Sequence, residues 1–342
     1  MIKSLLFFIN SIVAVVLLLL YGVSFLPPST IPVIPAITLL TPVFLVLNLL
    51  FFFYWVLGLS KKSILSLITL LVCLPFVFNF LQFNSSSKDK ELSTNQIKIL
   101  SYNSHYFKRT DTNKLFIKEF TNTVNEIKPD ILFFQEATLS DFKTGFETYK
   151  YKESTKTNKK GTGANPILSK YPIVNKGYVG VNDIKQGLNA LFADVKIDGE
   201  IIRCYNLHLT SYRLKQNPEE LKKTGVENIA NRLNTVFKYQ ENQVSVIARH
   251  IADSPYPVIF CGDFNNTSFS YVYRKLKNAG NLIDTFVEKG KGLGTTLVFK
   301  YFPTRIDHIL VSDTFKVVSH EVLKTKNLSD HYPVISEITF ND

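Results

Sequence analysis

The chain has 342 residues, enough for one large domain or two smaller ones. Its 39 lysines and arginines outnumber its 28 acids, and the formal charge of +11 suits phosphate-bearing partners or an anionic membrane surface without choosing between them. Three cysteines, with no C-x-x-C or Cys/His spacing, argue against a zinc-binding class; they read as buried free thiols, with a Cys204–Cys261 disulfide as the alternative in an oxidising compartment.

The charge is unevenly placed. Met1–Phe83 contains no acid and only Lys3, Lys61 and Lys62, so all 28 acids lie beyond it with 36 bases, a net +8. Three apolar stretches, about 4–26, 31–59 and 63–83, each have the roughly 20 residues that cross a hydrocarbon core. They predict three transmembrane helices; an acid-free run of 83 residues does not fit the core of a soluble helical domain. The first stretch is too long for a signal peptide and runs into Pro27–Pro28 instead of a cleavage site. Pro32, Pro35 and Pro42 blur the start of the second, and Tyr54 and Trp55 near its end read as interfacial rings. Lys3 and the Lys61–Lys62 pair should stay cytoplasmic. Three spans then give a multi-pass protein of the bacterial cytoplasmic membrane with the rest of the chain facing outward. A re-entrant hairpin in place of the first two spans would turn it inward. Residues 84–96 read as a polar linker.

From Ile97 onward, β-type runs alternate with helical patterns. The runs are Ile97–Tyr102, Ile131–Phe134, Asn189–Ile197, Ile201–Leu209, Val258–Cys261, Ile306–Val311 and Val334–Phe340. Helices are predicted over Leu115–Glu126 and Pro218–Ile251. The mixture fits sheets with helices packed outside, in one domain over 97–342.

Polar residues gather at the ends of these runs: Asn103, Gln135 and Glu136, His208, Asp263 and Asn265, Asp307 and His308, then Asp330 and His331. A carboxylate in an apolar strand is costly unless paired or metal-bound. Glu136, Asp263, Asp307 and Asp330, with His208 and His331, therefore point to one shared site, and carboxylate and amide oxygens suit Mg²⁺ or Mn²⁺. His308 alternates in facing with Asp307 and reads as a core or surface residue; His250 and His320 read as structural. His105, two residues past Asn103, is a candidate to line the site.

These segments resemble the endonuclease/exonuclease/phosphatase superfamily, which includes pancreatic-type DNases, abasic-site endonucleases, sphingomyelinases and inositol-phosphate phosphatases. The resemblance rests on Ser101-Tyr102-Asn103, Gln135-Glu136, Asn206-Leu207-His208-Leu209, Gly262-Asp263-Phe264-Asn265, Arg305-Ile306-Asp307-His308-Ile309 and Ser329-Asp330-His331-Tyr332-Pro333-Val334, six stretches in family order. Gly161-Thr162-Gly163 leading to Ile167–Ile173 also looks like the family's mid-domain strand. The resemblance implies an α/β (α+β) fold, a four-layer αββα sandwich of two packed β-sheets, here preceded by the three membrane helices. It implies Glu136 as principal metal ligand, with Asn103 beside it and Asp330 contributing. Asp263 and Asn265 would position water or phosphate, His208 would donate to a phosphoryl oxygen, and His331 would pair with Asp307.

The expected function is thus a membrane-anchored, divalent-metal-dependent phosphoesterase cleaving phosphodiesters, nucleic acid first, with no protein partner implied. The basic stretch Lys150, Lys152, Lys156, Lys159 and Lys160, interleaved with Tyr149 and Tyr151, could follow a polyanion or be a solvated loop. Alternatives are a phospholipid head-group phosphodiesterase, a phosphomonoesterase, and an inactive membrane scaffold that kept the fold.

Overall fold

Apolar residues two apart in the β-type runs need a surface to cover, and in the structure, a computed structural model, two sheets cover each other. The structure describes the chain except residues 32–33, 85–94, 110–111, 113–114, 156–163, 182–189, 213–224, 299–303, 326–327 and 342. The described chain divides into two compact units.

The first unit comprises Met1–Leu81 with Tyr212–Glu241 and Thr267–Arg274. Its N-terminal helices are α1 (Ile2–Val23), α2 (Ile34–Ile37), α3 (Thr41–Leu57), α4 (Ser63–Val72) and α5 (Leu74–Phe80). Two helical segments, Ile2–Val23 and Thr38–Leu57, are long and apolar enough to cross a membrane. The expected third span is not one helix: α4 and α5 meet at 76°. Pro75 has no N–H for the Leu71 carbonyl and its ring crowds that carbonyl, so the helix breaks there. The ten residues of α4 rise only about 15 Å. The span count is therefore two, or three if the bent pair crosses as one. Trp55, near the end of α3, packs against neighbouring helices. It is buried, edge-on to Phe7, with the Lys62 ammonium 5.0 Å from its ring centre. Ser66 donates to Asn10 at 3.0 Å across α1 and α4, a buried hydrogen bond between two apolar helices.

The second unit, Gln82–Ser211, Asn242–Asn266 and Lys275–Asp342, holds the sheets. A two-residue strand β1 (Gln82–Phe83) pairs with β11 (Lys291–Gly292). The first large sheet contains β2 (Ile97–Asn103), β3 (Ile131–Gln135), β4 (Tyr151–Glu153), β5 (Ile167–Ser169), β13 (Phe315–Val322) and β14 (Val334–Phe340), in the order β13-β14-β2-β3-β5-β4. The second contains β6 (Ile173–Val179), β7 (Ala190–Ile197), β8 (Glu200–His208), β9 (Val258–Asp263), β10 (Ile283–Asp284) and β12 (Asp307–Val311), in the order β10-β12-β9-β8-β7-β6.

Ile97, Ile99, Ile131 and Phe133 of the first sheet pack against Ile202, Cys204, Ile259, Cys261 and Ile309 of the second in one apolar core. On the first sheet's outer face, Leu100, Tyr102, Leu132 and Phe134 meet Phe120 and Val124 of α6 (Ile117–Ile127). On the second sheet's outer face, Tyr205 hydrogen-bonds to His250 of α7 (Val226–Ala252) at 2.8 Å. The layers are helix, sheet, sheet, helix. Lys128, left-handed at φ 55°, ends α6 immediately before Pro129.

One expectation changes in detail. The mid-domain segment Ile167–Ile173 is not one strand: Lys170-Tyr171-Pro172 carries the chain from β5 in one sheet to β6 in the other. The first part of the predicted helix over Pro218–Ile251, with Leu221, and the lysines Lys156, Lys159 and Lys160 lie outside the described residues. Cys204 and Cys261 are free thiols in the core between the sheets.

Gly262 is set by close approach. Its φ is 146°, and a Cβ there would sit 2.0 Å from the Leu207 carbonyl oxygen of the parallel neighbour β8. Gly262→Ala is expected to destabilise the sandwich by more than about 2 kcal/mol, since backbone cannot step aside as a side chain can. Thermal unfolding of the purified full chain checks this; an unchanged midpoint would contradict the packing described.

Candidate active site

The alternation that builds the core also builds the site. Odd-numbered residues of β2 and β3 face the inter-sheet core, as do even ones of β8 and odd ones of β9 and β12. Extending each strand to its end brings Asn103, Gln135, Asn206, His208, Asp263 and Asp307 to one rim. β2, β3, β8 and β9 contribute their C-terminal ends, and β12 and β14, antiparallel to β9 and β2, their N-terminal ends. Asp307 lies directly opposite Asp263 in the strand register.

Two buried amides lock the sheets together beneath that rim. Gln135 Nε2 donates to Asn206 Oδ1 at 2.7 Å, and Asn206 Nδ2 donates to the carbonyls of Phe134 and Pro166 at 2.8 and 2.9 Å. Gln135 and Asn206 fell inside sequence motifs, but nothing in the sequence showed that they meet.

Above this clamp the polar groups converge. Asn103 Nδ2 donates to Asp263 Oδ2 at 3.0 Å, and the Asn265 backbone N–H donates to Asp263 Oδ1 at 2.7 Å. His331 Nδ1 lies 2.8 Å from Asp307 Oδ2, and its Nε2 lies 3.8 Å from Asp263 Oδ2. His208 Nε2 is 3.7 Å from both Glu136 Oε1 and Asp263 Oδ2, and it has no hydrogen-bond partner among the described residues. His105 Nδ1 is 3.5 Å from Glu136 Oε2. Asp330 stands at the edge, hydrogen-bonded by Ser329 at 3.2 Å, with its charge felt at His105 and His331.

Thr296 was not singled out by its sequence, yet it ties two of these groups. Its hydroxyl accepts from the Ile306 and Asp307 N–H groups at 3.1 Å, and its carbonyl accepts from Tyr332 N–H at 2.7 Å.

Several of these residues have left-handed backbones that side chains disfavour: Glu136 at φ 51°, Asn265 at 45°, and His105, Tyr106 and Phe107 in succession at 47°, 55° and 53°. Such strain gathers where surrounding structure over-determines a functional geometry. The turn at Glu136 is pinned by its own carbonyl, which accepts from Tyr106 N–H at 2.7 Å.

Charge is shared across the site. Burial works against a charged His331 ring, but Asp307 and Asp263 beside it prevail and push it up to about 10. Burial lifts Asp263 to about 6 against the opposing pull of His331. Burial also opposes the Glu136 carboxylate, which His105 and His208 nevertheless hold down at about 2. Among the described residues, the His/Asp/Glu group whose ligand atoms all lie within 4.8 Å of one another is Asp263, Asp307 and His331.

A two-sheet sandwich with helices on both faces and acids, amides and imidazoles gathered at one rim defines a class of phosphoester hydrolases. The chain belongs to the endonuclease/exonuclease/phosphatase family, whose description matches residues 100–331. Members of that family are hydrolases acting on phosphoesters. Residues 3–80 match a domain of unknown function, DUF8431. No curated protein matches the chain. Solved structures share the fold. One is an endonuclease/exonuclease/phosphatase from Bacteroides vulgatus (17% identity, 72% of this chain and 99% of that one, TM-score 0.56). Another is a mannosyl-6-phosphatase from Bacteroides thetaiotaomicron (19%, 71% and 100%, 0.51). A third is the catalytic domain of human Nocturnin with bound sulfate (15%, 72% and 95%, 0.52).

His308 is fully buried on the far side of β12 from Asp307, with its ring 4.6 Å from Phe264. Burial, and then the charge of Arg305, hold it down to about 3, against 6.5 ordinarily. Between those values an unfolded chain takes up a proton that the folded chain refuses. Its contribution is therefore complete above pH 6.5 and is lost as pH falls, by up to about 1.4 kcal/mol per pH unit. The unfolding temperature of the wild type should drop more steeply from pH 7 to pH 5 than that of His308→Gln. Parallel slopes would mean that the ring is protonated in the fold.

Proposed function

We propose that the protein is a membrane-anchored, divalent-metal-dependent phosphodiesterase. The observation that carries this reading is the meeting of Asn103, Glu136, His208, Asp263, Asn265, Asp307 and His331 at one rim, within hydrogen-bonding or ion-pairing distance of their neighbours.

The donor set fits a hard cation. Glu136, Asn103 and Asp330 offer carboxylate and amide oxygens, and the buried Nε2 of His208 still lacks a partner. Mg²⁺ or Mn²⁺ held there would polarise a phosphoryl oxygen and make water a better nucleophile. The chain's own groups supply the rest. His208 Nε2 is directed between Glu136 and Asp263 and donates to a non-bridging phosphoryl oxygen. Asp263, fixed at one oxygen by Asn265 and at the other by Asn103, orients the attacking water. His331, tied through Nδ1 to Asp307, places positive charge where the transition state becomes more anionic.

Nucleic acid is the substrate expected from the sequence, but Lys152 of the basic stretch is engaged with the Phe142 carbonyl at 2.7 Å. The two candidate spans favour a second reading, a phospholipid head group. A phosphomonoester is a third option, since a mannosyl-6-phosphatase shares the fold. A panel of DNA, RNA, sphingomyelin and inositol phosphates with Mg²⁺ or Mn²⁺ separates these classes.

Glu136→Ala and His331→Ala in the detergent-solubilised full chain should each lower kcat/KM for bis(p-nitrophenyl) phosphate by at least about a hundredfold. Near wild-type rates in both would remove the assignment. With the bent α4–α5 pair crossing as one span, the second unit faces outward. A reporter fused after Phe83 should then be active outside the cytoplasm; activity only inside would favour two spans.

A further inference from the structure

A set of buried charges lies behind the site and takes no part in the chemistry above. Asp284, Arg305 and His308 are all buried. Arg305 Nη1 donates to Asp284 Oδ2 at 2.8 Å and meets His308 Nδ1 at 2.9 Å. A guanidinium only donates, so His308 Nδ1 is the acceptor and the ring proton sits on Nε2. The anchor at the other end is rigid. Asp284 Oδ1 caps α8 (Thr285–Lys289) by accepting from Phe286 N–H at 2.9 Å, and the Arg305 guanidinium lies 4.4 Å from the centre of the Phe286 ring.

His308 thus meets the Asp263–Asn266 turn through the Phe264 ring, 4.6 Å away. That turn contains Asn265 in its left-handed conformation, and Asn265 N–H fixes Asp263. Buried ion pairs are seldom more stabilising than apolar residues of the same volume, so stability alone gives this one no reason to exist. Orientation does.

We infer that Asp284, Arg305 and His308 are positioning residues: through the His308 ring they hold the strained Asp263–Asn266 turn so that Asp263 and Asn265 meet the reacting phosphate in one fixed geometry. The inference rests on the phosphodiesterase reading for its consequence in rate, but its structural part can be measured without turnover.

The test uses the full chain in detergent micelles. His308→Phe keeps the volume and the contact with Phe264 but removes both ring nitrogens. His308→Gln returns an amide oxygen that can accept from Arg305 in place of Nδ1. For His308→Phe, kcat on bis(p-nitrophenyl) phosphate should fall about 10- to 100-fold with KM unchanged. Hydrogen exchange at the Asn265 and Asn266 amides should quicken about tenfold. His308→Gln should recover most of both. A folded His308→Phe protein with wild-type kcat or wild-type exchange overturns the inference. Should that variant not fold, the Arg305→Met/Asp284→Leu pair, which removes both charges together, replaces it with the same expected and overturning outcomes. A wild-type protein that hydrolyses nothing would instead overturn the enzymatic reading, and the exchange rates would still decide this one.

Discussion

Asp263 and Asp307 lie opposite each other on paired strands at a dry sheet end, and two carboxylates in that position need a positive group between them. His331 is that group, bonded to one acid and facing the other. Much of the architecture serves the placement. β14 starts just beyond His331 and runs antiparallel to β2, which puts the ring at the rim where β9 and β12 end. Thr296 binds the backbone on both sides of the triad, and Ser329 ties the His331 segment to the Asn103 carbonyl at 2.9 Å. If the ring moved, the acids would repel and the paired strand ends would lose their register.

The two-residue alternation made most of the sandwich legible. Ile97, Ile99, Ile131, Ile259 and Ile309 announce a buried face, and the polar residue that continues each run on the same face announces a rim. Asn103, His208, Asp263 and Asp307 were readable for that reason. Glu136 was readable as a residue but not as a geometry, because it follows Gln135 on the wrong parity and enters the site only through a left-handed turn. The Gln135–Asn206 clamp and the Arg305–His308 contact join segments 71 and 3 residues apart, and neither spacing encodes the contact. The break after β5 was hidden because Ile167–Ile173 has the composition of one strand while its halves serve different sheets.

In the apolar N-terminal part, apolarity was legible and its arrangement was not. A hydropathy pattern counts residues but does not weigh one proline, and Pro75 turns what reads as a single span into two short helices. Trp55 reads from the sequence as an interfacial ring, but its packing onto Phe7 and Lys62 was not legible there. Polar side chains such as Asn10 and Ser66 carry information about helix pairing that an average over the stretch discards.

The left-handed backbones at Glu136 and Asn265 have a consequence for anyone who engineers this protein. Each non-glycine residue held there costs on the order of 1 kcal/mol that glycine would not. A library sorted for heat tolerance alone would therefore be drawn toward glycine at two positions on which the proposed mechanism depends. The hardiest clones would be inert, and robustness would have to be selected together with turnover.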